Sequence, residues 1–213
     1  MAIEIIAEVG ECFNGSLDTA KEMIHKAAGV GCDCVKFQIL DMDEVAKDDP
    51  EYDWFAKIEL TKGDIEQLIF CAKENDIDIL FTPVSIRTAE ILVELGVKKV
   101  KIASSFLRKI ELLEYINLNF DKVYMSTGMA SLDEIRRTKE LLNNIKDLTI
   151  LHCVSEYPTG PLLEERGLKA LSEGDAHLNM INILKKNFSG NQIGYSDHTD
   201  GVFVPMIAAA MGV

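Results

Sequence analysis

Seven apolar segments, each followed by a helical pattern, succeed one another along this chain, and that alternation restricts the fold more than any other feature. The segments read as strands at Ile3 to Val9, Cys34 to Gln38, Ile77 to Pro83, Val100 to Ala103, Val123 to Ser126, Leu148 to Cys153 and Gln192 to Tyr195. Capping residues mark the helices between them: Ser16 opens one that runs to about Ala28, Thr61 precedes Asp64 to Asn75, and Ser85 precedes Thr88 to Leu95. Ile110 to Leu118 is helical, and Ser131 with Glu134 forms a capping box before a helix ending near Asn143. Glu164 to Asn187 is mostly helical with a break near Gly174, and Val202 to Met211 reads as one more helix. Leu40 to Glu59 reads as one long irregular loop, acidic and carrying Trp54, of the kind that serves as a lid.

Strands this apolar need cover on both faces, which means a parallel sheet with right-handed crossovers. Two architectures satisfy that demand, an open doubly wound sheet and a (β/α)8 barrel. The turn Gly10-Glu11-Cys12-Phe13-Asn14-Gly15 lacks the G-x-G-x-x-G spacing that the open sheet favours after its first strand. Polar residues gather instead at the C-terminal ends of all the strands: Glu8, Lys36 and Gln38, Thr82, Lys101 and Ser104, Ser126 and Thr127, His152 with Ser155 and Tyr157, and Ser196 with His198. A barrel places its site at that mouth. The expected fold class is therefore α/β, a TIM-type (β/α)8 barrel spanning residues 1–213 as a single domain. Met211-Gly212-Val213 falls where an eighth strand is due, so the last strand is expected to be missing and the chain to be cut short.

Lys101 and Lys36 are the residues that such a fold must explain. In Val100-Lys101-Ile102 and Val35-Lys36-Phe37-Gln38 the lysines alternate with apolar neighbours and point to the opposite face of a covered strand. A lysine goes inside only with an anionic partner, from the protein or from a ligand. The formal net charge of −13 repels anions at long range and argues against a nucleic-acid or anionic-membrane partner. An anionic ligand must then be drawn by these locally placed cations. The N-terminus enters an apolar strand without a basic leader, no run is long enough to span a membrane, and the expected location is cytoplasmic. Five cysteines without framework spacing read as reduced thiols that fill space.

Seven short motifs fall in one order and spacing: Ile6-Ala7-Glu8-Val9-Gly10, Val35-Lys36-Phe37-Gln38, Phe81-Thr82-Pro83, Lys101-Ile102-Ala103-Ser104, Ser126-Thr127-Gly128-Met129, Leu151-His152-Cys153 with Glu156-Tyr157-Pro158, and Gly194-Tyr195-Ser196-Asp197-His198-Thr199. In this the chain resembles the N-acetylneuraminate (sialic acid) synthase family and its relatives that make legionaminate, pseudaminate and spore-coat sugars. The resemblance implies a barrel enzyme, a transferase that condenses phosphoenolpyruvate with an N-acylated amino sugar, uses Mn2+ or Mg2+, and releases phosphate. It implies that Lys36, Gln38, Thr82, Lys101, Ser104, Tyr157 and Ser196 line the phosphoenolpyruvate pocket, that His198 is a metal ligand, and that Glu8 stands at the sugar end.

The residue types suit that chemistry in their own right. A carboxylate and a phosphate need fixed cations, here Lys36 and Lys101, and neutral donors, here Gln38, Thr82, Ser104, Ser126, Ser155 and Ser196. Asp197-His198 is a plausible seat for a borderline divalent ion. Glu8 either orients hydroxyls and moves a proton, or pairs with a neighbouring lysine. His152 reads as a hydrogen-bonded core histidine, while His25 and His177 read as solvated. Departures from the family pattern stand at Cys12-Phe13, at Ser105-Phe106 and at Ser155-Glu156. A second metal histidine and a C-terminal antifreeze-like domain are expected to be absent, and a homodimer rests on analogy alone. Two other readings stay open: a class I aldolase with Lys36 or Lys101 as Schiff-base nucleophile, and a non-catalytic relative that serves a partner.

Overall fold

The computed structural model describes residues 3–156 and 173–213. The chain forms two compact units, Met1–Lys101 with Glu114–Phe120 and Ile102–Leu113 with Asp121–Val213.

In the first unit β1 (Ile6–Gly10), β2 (Cys34–Ile39), β3 (Asp78–Pro83) and β4 (Lys99–Ile102, its last residue counted with the second unit) lie in chain order. β1 to β3 are parallel, and Phe81 of β3 pairs in parallel with Val100 of β4. The connections carry α1 (Leu17–Gly29), α2 (Tyr52–Ile58), α3 (Lys62–Glu74) and α4 (Ile86–Glu94). Three of these helices begin where short polar side chains satisfy orphan amides. Ser16 accepts from the Thr19 amide, and Thr61/Asp64 and Ser85/Thr88 form reciprocal capping boxes. Beneath them Ile24, Val35, Phe37, Ile65, Leu68, Leu80, Phe81 and Leu92 are wholly buried. Each such side chain contributes about 1.5–3 kcal/mol through removal from water.

The second unit holds β5 (Lys122–Ser126), β6 (Asp147–Cys153) and β7 (Gln192–Ser196), again parallel and in chain order. Its helices are α6 (Leu132–Leu141), α7 (Asn179–Asn187) and α8 (Phe203–Ala210), while α5 (Ile110–Asn119) contributes Ile110–Leu113 here and its remainder to the first unit. Leu112, Leu113, Val123, Met125, Ile150, Ile181 and Leu184 are fully buried in it. Strand order without reversal in either unit, with a helix after every strand, is the pattern of a barrel rather than of a doubly wound sheet. The fold is α/β of the TIM-barrel type, with seven strand–helix units among the described residues.

Two sequence expectations need correction. Leu40 to Glu59 is not irregular throughout: Met42–Glu44 forms a 3-10 turn, and Tyr52–Ile58 is α2. Glu51 gives α2 no side-chain cap, so no start signal was there to read, and the helix is held by burial of Ile58. The first strand begins at Ile6 rather than Ile3, because the Ile5 amide turns to the Asp33 carboxylate at 2.8 Å, leaving Ile3 and Ile5 exposed. Of the helix expected over Glu164 to Asn187, the residues from 173 on show a 3-10 turn, Glu173–Ala176, and then α7; those before 173 lie outside the described residues.

The excursion that contains α2 is tied off at its base. Asp41, buried after β2, takes hydrogen bonds from Ser85 Oγ and from Arg87, whose Nε lies at 2.9 Å. Arg87 also reaches Glu59 at 2.8 Å, and the Met42 amide donates to the same carboxylate oxygen at 3.1 Å. Burial pushes the Asp41 carboxyl up, but the hydrogen bonds from Arg87, Ser85 and the Asp43 amide outweigh it and hold the group below its usual range. We expect Arg87→Met to cost about 1–3 kcal/mol at neutral pH, because it leaves Asp41 buried without its cation. A depressed carboxyl stabilises the fold above its unfolded value, 3.8, and that contribution fades as pH falls below it. The wild-type and Arg87→Met stabilities should therefore converge on acidification. Urea titrations across pH measure this, and a constant gap down to the acid limit would show that Arg87 does not control Asp41.

Candidate active site

In the first unit the C-terminal strand ends bring three of the expected residues together. The β1–β2 register sets Glu8 beside Lys36, and the Glu8 carboxylate forms an ion pair with the Lys36 ammonium. Lys36 is 4% exposed, whereas the Glu8 side chain is half-exposed. The register then slips between Glu8 and Gly10, and Gly10 takes φ +56°, a backbone conformation that favours glycine. A Cβ there would lie 3.3 Å from Glu8 Oε1 and 3.7 Å from Gln38 Nε2, so carboxylate and amide both border this bare backbone.

Thr82, in register with Gln38, has a buried hydroxyl with no hydrogen-bond partner among the described residues. An unsatisfied buried hydroxyl costs about 1–3 kcal/mol, and such a group calls for a ligand or water to receive its proton. Lys101 is buried as its alternation predicts, at 9% exposure.

Sequence reasoning missed Glu11. Burial, reinforced by the negative charge of Glu8 and opposed by Lys36, pushes its carboxyl above the ordinary range. Its position next after β1 was the one available signal, and no residue pattern marked it as half-buried.

In the second unit Ser104 begins the 3-10 turn Ser104–Phe106, and its Oγ accepts the Gly128 amide at 3.0 Å. Ser126, the last residue of β5, repeats the situation of Thr82: its hydroxyl is buried and has no partner among the described residues. Thr127 behind it donates both amide and hydroxyl to the Leu151 carbonyl, at 3.1 and 2.9 Å, which anchors the turn. Ser155 packs on Gly128, and Ser196 is half-buried at the end of β7. Tyr157 lies outside the described residues.

His152 is a core histidine: its Nε2 meets the Ala176 carbonyl at 2.7 Å, its ring stacks on Tyr195, and burial lowers its basicity. His25 is exposed and bonded to Asn75. None of the five cysteines is in a disulfide, and Cys12 alone is exposed. No helix among the described residues is long and apolar enough to cross a membrane.

His198 meets one requirement of a metal ligand. Its Nδ1 lies 2.7 Å from the Val154 carbonyl, which only accepts, so Nδ1 carries the proton and Nε2 is the unprotonated ring nitrogen. Asp197 is engaged otherwise: its Oδ1 accepts from Tyr195, from the Thr199 amide and from the Thr199 hydroxyl. Among the described residues no group of three or more acidic, cysteine or histidine side chains is arranged to hold a metal ion.

Parallel strands in chain order, with polar side chains at their C-terminal ends in each unit, define a TIM-type barrel protein. The chain belongs to the NeuB family, whose model matches residues 23–213. It is 34% identical to N,N'-diacetyllegionaminic acid synthase of Campylobacter jejuni, over 98% of this chain and 64% of that one. It is 32% identical to N-acetylneuraminate-9-phosphate synthase of Drosophila melanogaster, over 99% of this chain and 58% of that one. The crystal structure of N-acetylneuraminic acid (sialic acid) synthetase from Leptospira borgpetersenii, in complex with citrate, matches with a TM-score of 0.88 at 30% identity, covering 100% of this chain and 71% of that one. The chain spans about three-fifths of the length of these curated relatives.

The raised Glu11 carboxyl yields a test of the site's electrostatics. A group whose pKa is higher folded than unfolded favours the fold below the unfolded value, 4.5, and this benefit is lost as pH rises through the folded value. Glu11→Gln should therefore raise the melting temperature at neutral pH and leave it little changed in acid. An unchanged or lower melting temperature at pH 7 would show that Glu11 is not strained by its surroundings.

Proposed function

We propose that this chain carries a phosphoenolpyruvate-dependent condensing activity that makes a sialic-acid-like nonulosonic acid from an N-acylated amino sugar and releases phosphate. The observation that carries the reading is the buried Lys36, paired with Glu8 and followed by Gln38 and the orphan Thr82 hydroxyl, in a chain of the NeuB family. Phosphoenolpyruvate bears two anionic groups, and this protein of net charge −13 has to hold them by local contacts.

In the first unit Lys36 and Lys101 supply the positive charge, with Gln38 and Thr82 as neutral donors. In the second, Ser104, Ser126, Ser155 and Ser196 add hydroxyl donors. C3 of phosphoenolpyruvate attacks the aldehyde carbon of the open-chain sugar, and the carbonyl oxygen takes up a proton to become a hydroxyl. Water adds at C2, and the C2–O bond to phosphate then breaks, leaving a 2-keto acid and inorganic phosphate. Glu8, half-exposed and held by Lys36, is placed to accept and return the proton that these steps move. A divalent ion, Mn2+ or Mg2+, with His198 as its ligand, would supply Lewis-acid polarisation of the acceptor aldehyde.

Phosphate release from phosphoenolpyruvate across a panel of N-acylated amino sugars tests the reading. Release dependent on one acceptor supports it, and silence with every acceptor overturns it. Borohydride with pyruvate should leave the protein mass unchanged, because a trapped imine would indicate a Schiff-base aldolase instead. Lys36→Ala and Lys101→Ala should each cost phosphoenolpyruvate about 2–4 kcal/mol of affinity, since each leaves anionic oxygens facing buried surface without a cation. Titration calorimetry measures this, and near-wild-type affinity in both would remove the assigned roles. Mn2+ affinity should rise when phosphoenolpyruvate is present, with a reciprocal gain for the ligand, and should fall in His198→Ala. Equal Mn2+ affinity in wild type and variant would remove His198 from the metal assignment.

A further inference from the structure

Gly128 is a glycine that its backbone does not require. Positive φ among the described glycines is confined to Gly10, Gly15, Gly31, Gly96, Gly201 and Gly212, so Gly128 adopts a conformation open to any residue. Space is what excludes a side chain. A Cβ on Gly128 would lie 2.5 Å from Ser155 Oγ, 2.7 Å from the Cys153 carbonyl oxygen and 2.9 Å from the Ser155 amide nitrogen, all inside contact distance. On its other side the Gly128 amide donates to Ser104 Oγ at 3.0 Å. A hydroxyl that accepts such a bond turns its own proton away from the donor, so the Gly128 amide narrows the directions in which Ser104 can donate. Two residues before Gly128 stands Ser126, whose buried hydroxyl has no partner among the described residues.

We propose that Gly128 is a positioning residue for phosphoenolpyruvate: its amide aims the Ser104 hydroxyl, and its missing side chain lets Ser155 seat against the same turn. Both effects lie within the second unit, where Ser104 leaves β4, Gly128 follows β5 and Ser155 follows β6. Donors aimed before the ligand arrives need no reorganisation on binding, which is how hydroxyls contribute most to holding an oxyanion. The assignment rests on reading the site as one for phosphoenolpyruvate.

The test is a cycle of Gly128→Ala, Ser104→Ala and the double variant, with phosphoenolpyruvate affinity by calorimetry and melting temperature for each. Gly128→Ala should weaken binding at least tenfold. Adding Ser104→Ala to it should cost no more than a further twofold, because the hydroxyl has already lost its orientation. A merely structural role for Gly128 would instead give losses that multiply, whatever the fall in melting temperature that the crowded Cβ brings to both readings. Should Gly128→Ala fail to fold, Ser155→Gly/Gly128→Ala, which removes the closest contact, is compared with Ser155→Gly alone, and the same tenfold loss is expected. Wild-type binding with Gly128→Ala within twofold of it, or multiplying losses, overturns the positioning role alone. A wild type that binds no phosphoenolpyruvate overturns the functional reading and this role with it.

Discussion

An ammonium group can enter the interior of a parallel sheet only if a carboxylate comes with it, and the pairing of Lys36 with Glu8 is the contact on which the strand ends of the first unit depend. The β1–β2 register that sets the two residues abreast also aligns Ala7 with Val35. The slip after Glu8 and the left-handed turn at Gly10 then bare the backbone beside Gln38. Glu11, next in sequence, comes to lie near the same two charges. Removing the lysine would leave the adjacent carboxylates to repel one another, so one cation organises charge, turn and strand end together.

Charges and hydroxyls are treated differently at these strand ends. Lys36 is satisfied within the protein, while Thr82 in the first unit and Ser126 in the second are buried with no partner among the described residues. An internal partner keeps the charge stable, whereas a buried hydroxyl without one carries a free-energy cost that a hydrogen bond would relieve. His152, by contrast, is fully absorbed by the Ala176 carbonyl and the Tyr195 ring, and it has nothing left to offer a ligand.

Much of the fold was legible because its signals are local. Ser16, Thr61, Ser85 and Ser131 cap the helices that their sequence context indicates, and alternation located Lys36 and Lys101 inside. The misses share a different cause. α2 has no side-chain cap and spans only seven residues, too few for a period to emerge. The tie between Arg87 and Asp41 joins positions 46 apart, and the crowding around Gly128 involves a residue beyond the next strand. Long-range electrostatics and close packing leave no periodic trace, so Glu11 and Gly128 looked like ordinary turn residues.

The tie at Arg87 has a consequence for how this protein can change. Because Asp41 and Glu59 meet on one guanidinium, the chain between them is a closed loop whose ends are already fixed to the body of the first unit. The cost of closing such a loop grows only slowly with its length, by about 0.6 kcal/mol for each doubling. Changes of length within the segment therefore cost the strands little, provided the three tied residues remain, together with the buried Ile58 and the contacts of Lys57 with Asn14 and Gly15. The place for variation is thus narrow, the stretch between the tie at Asp41 and the packed end of α2, while the strand ends beside it stay as they are.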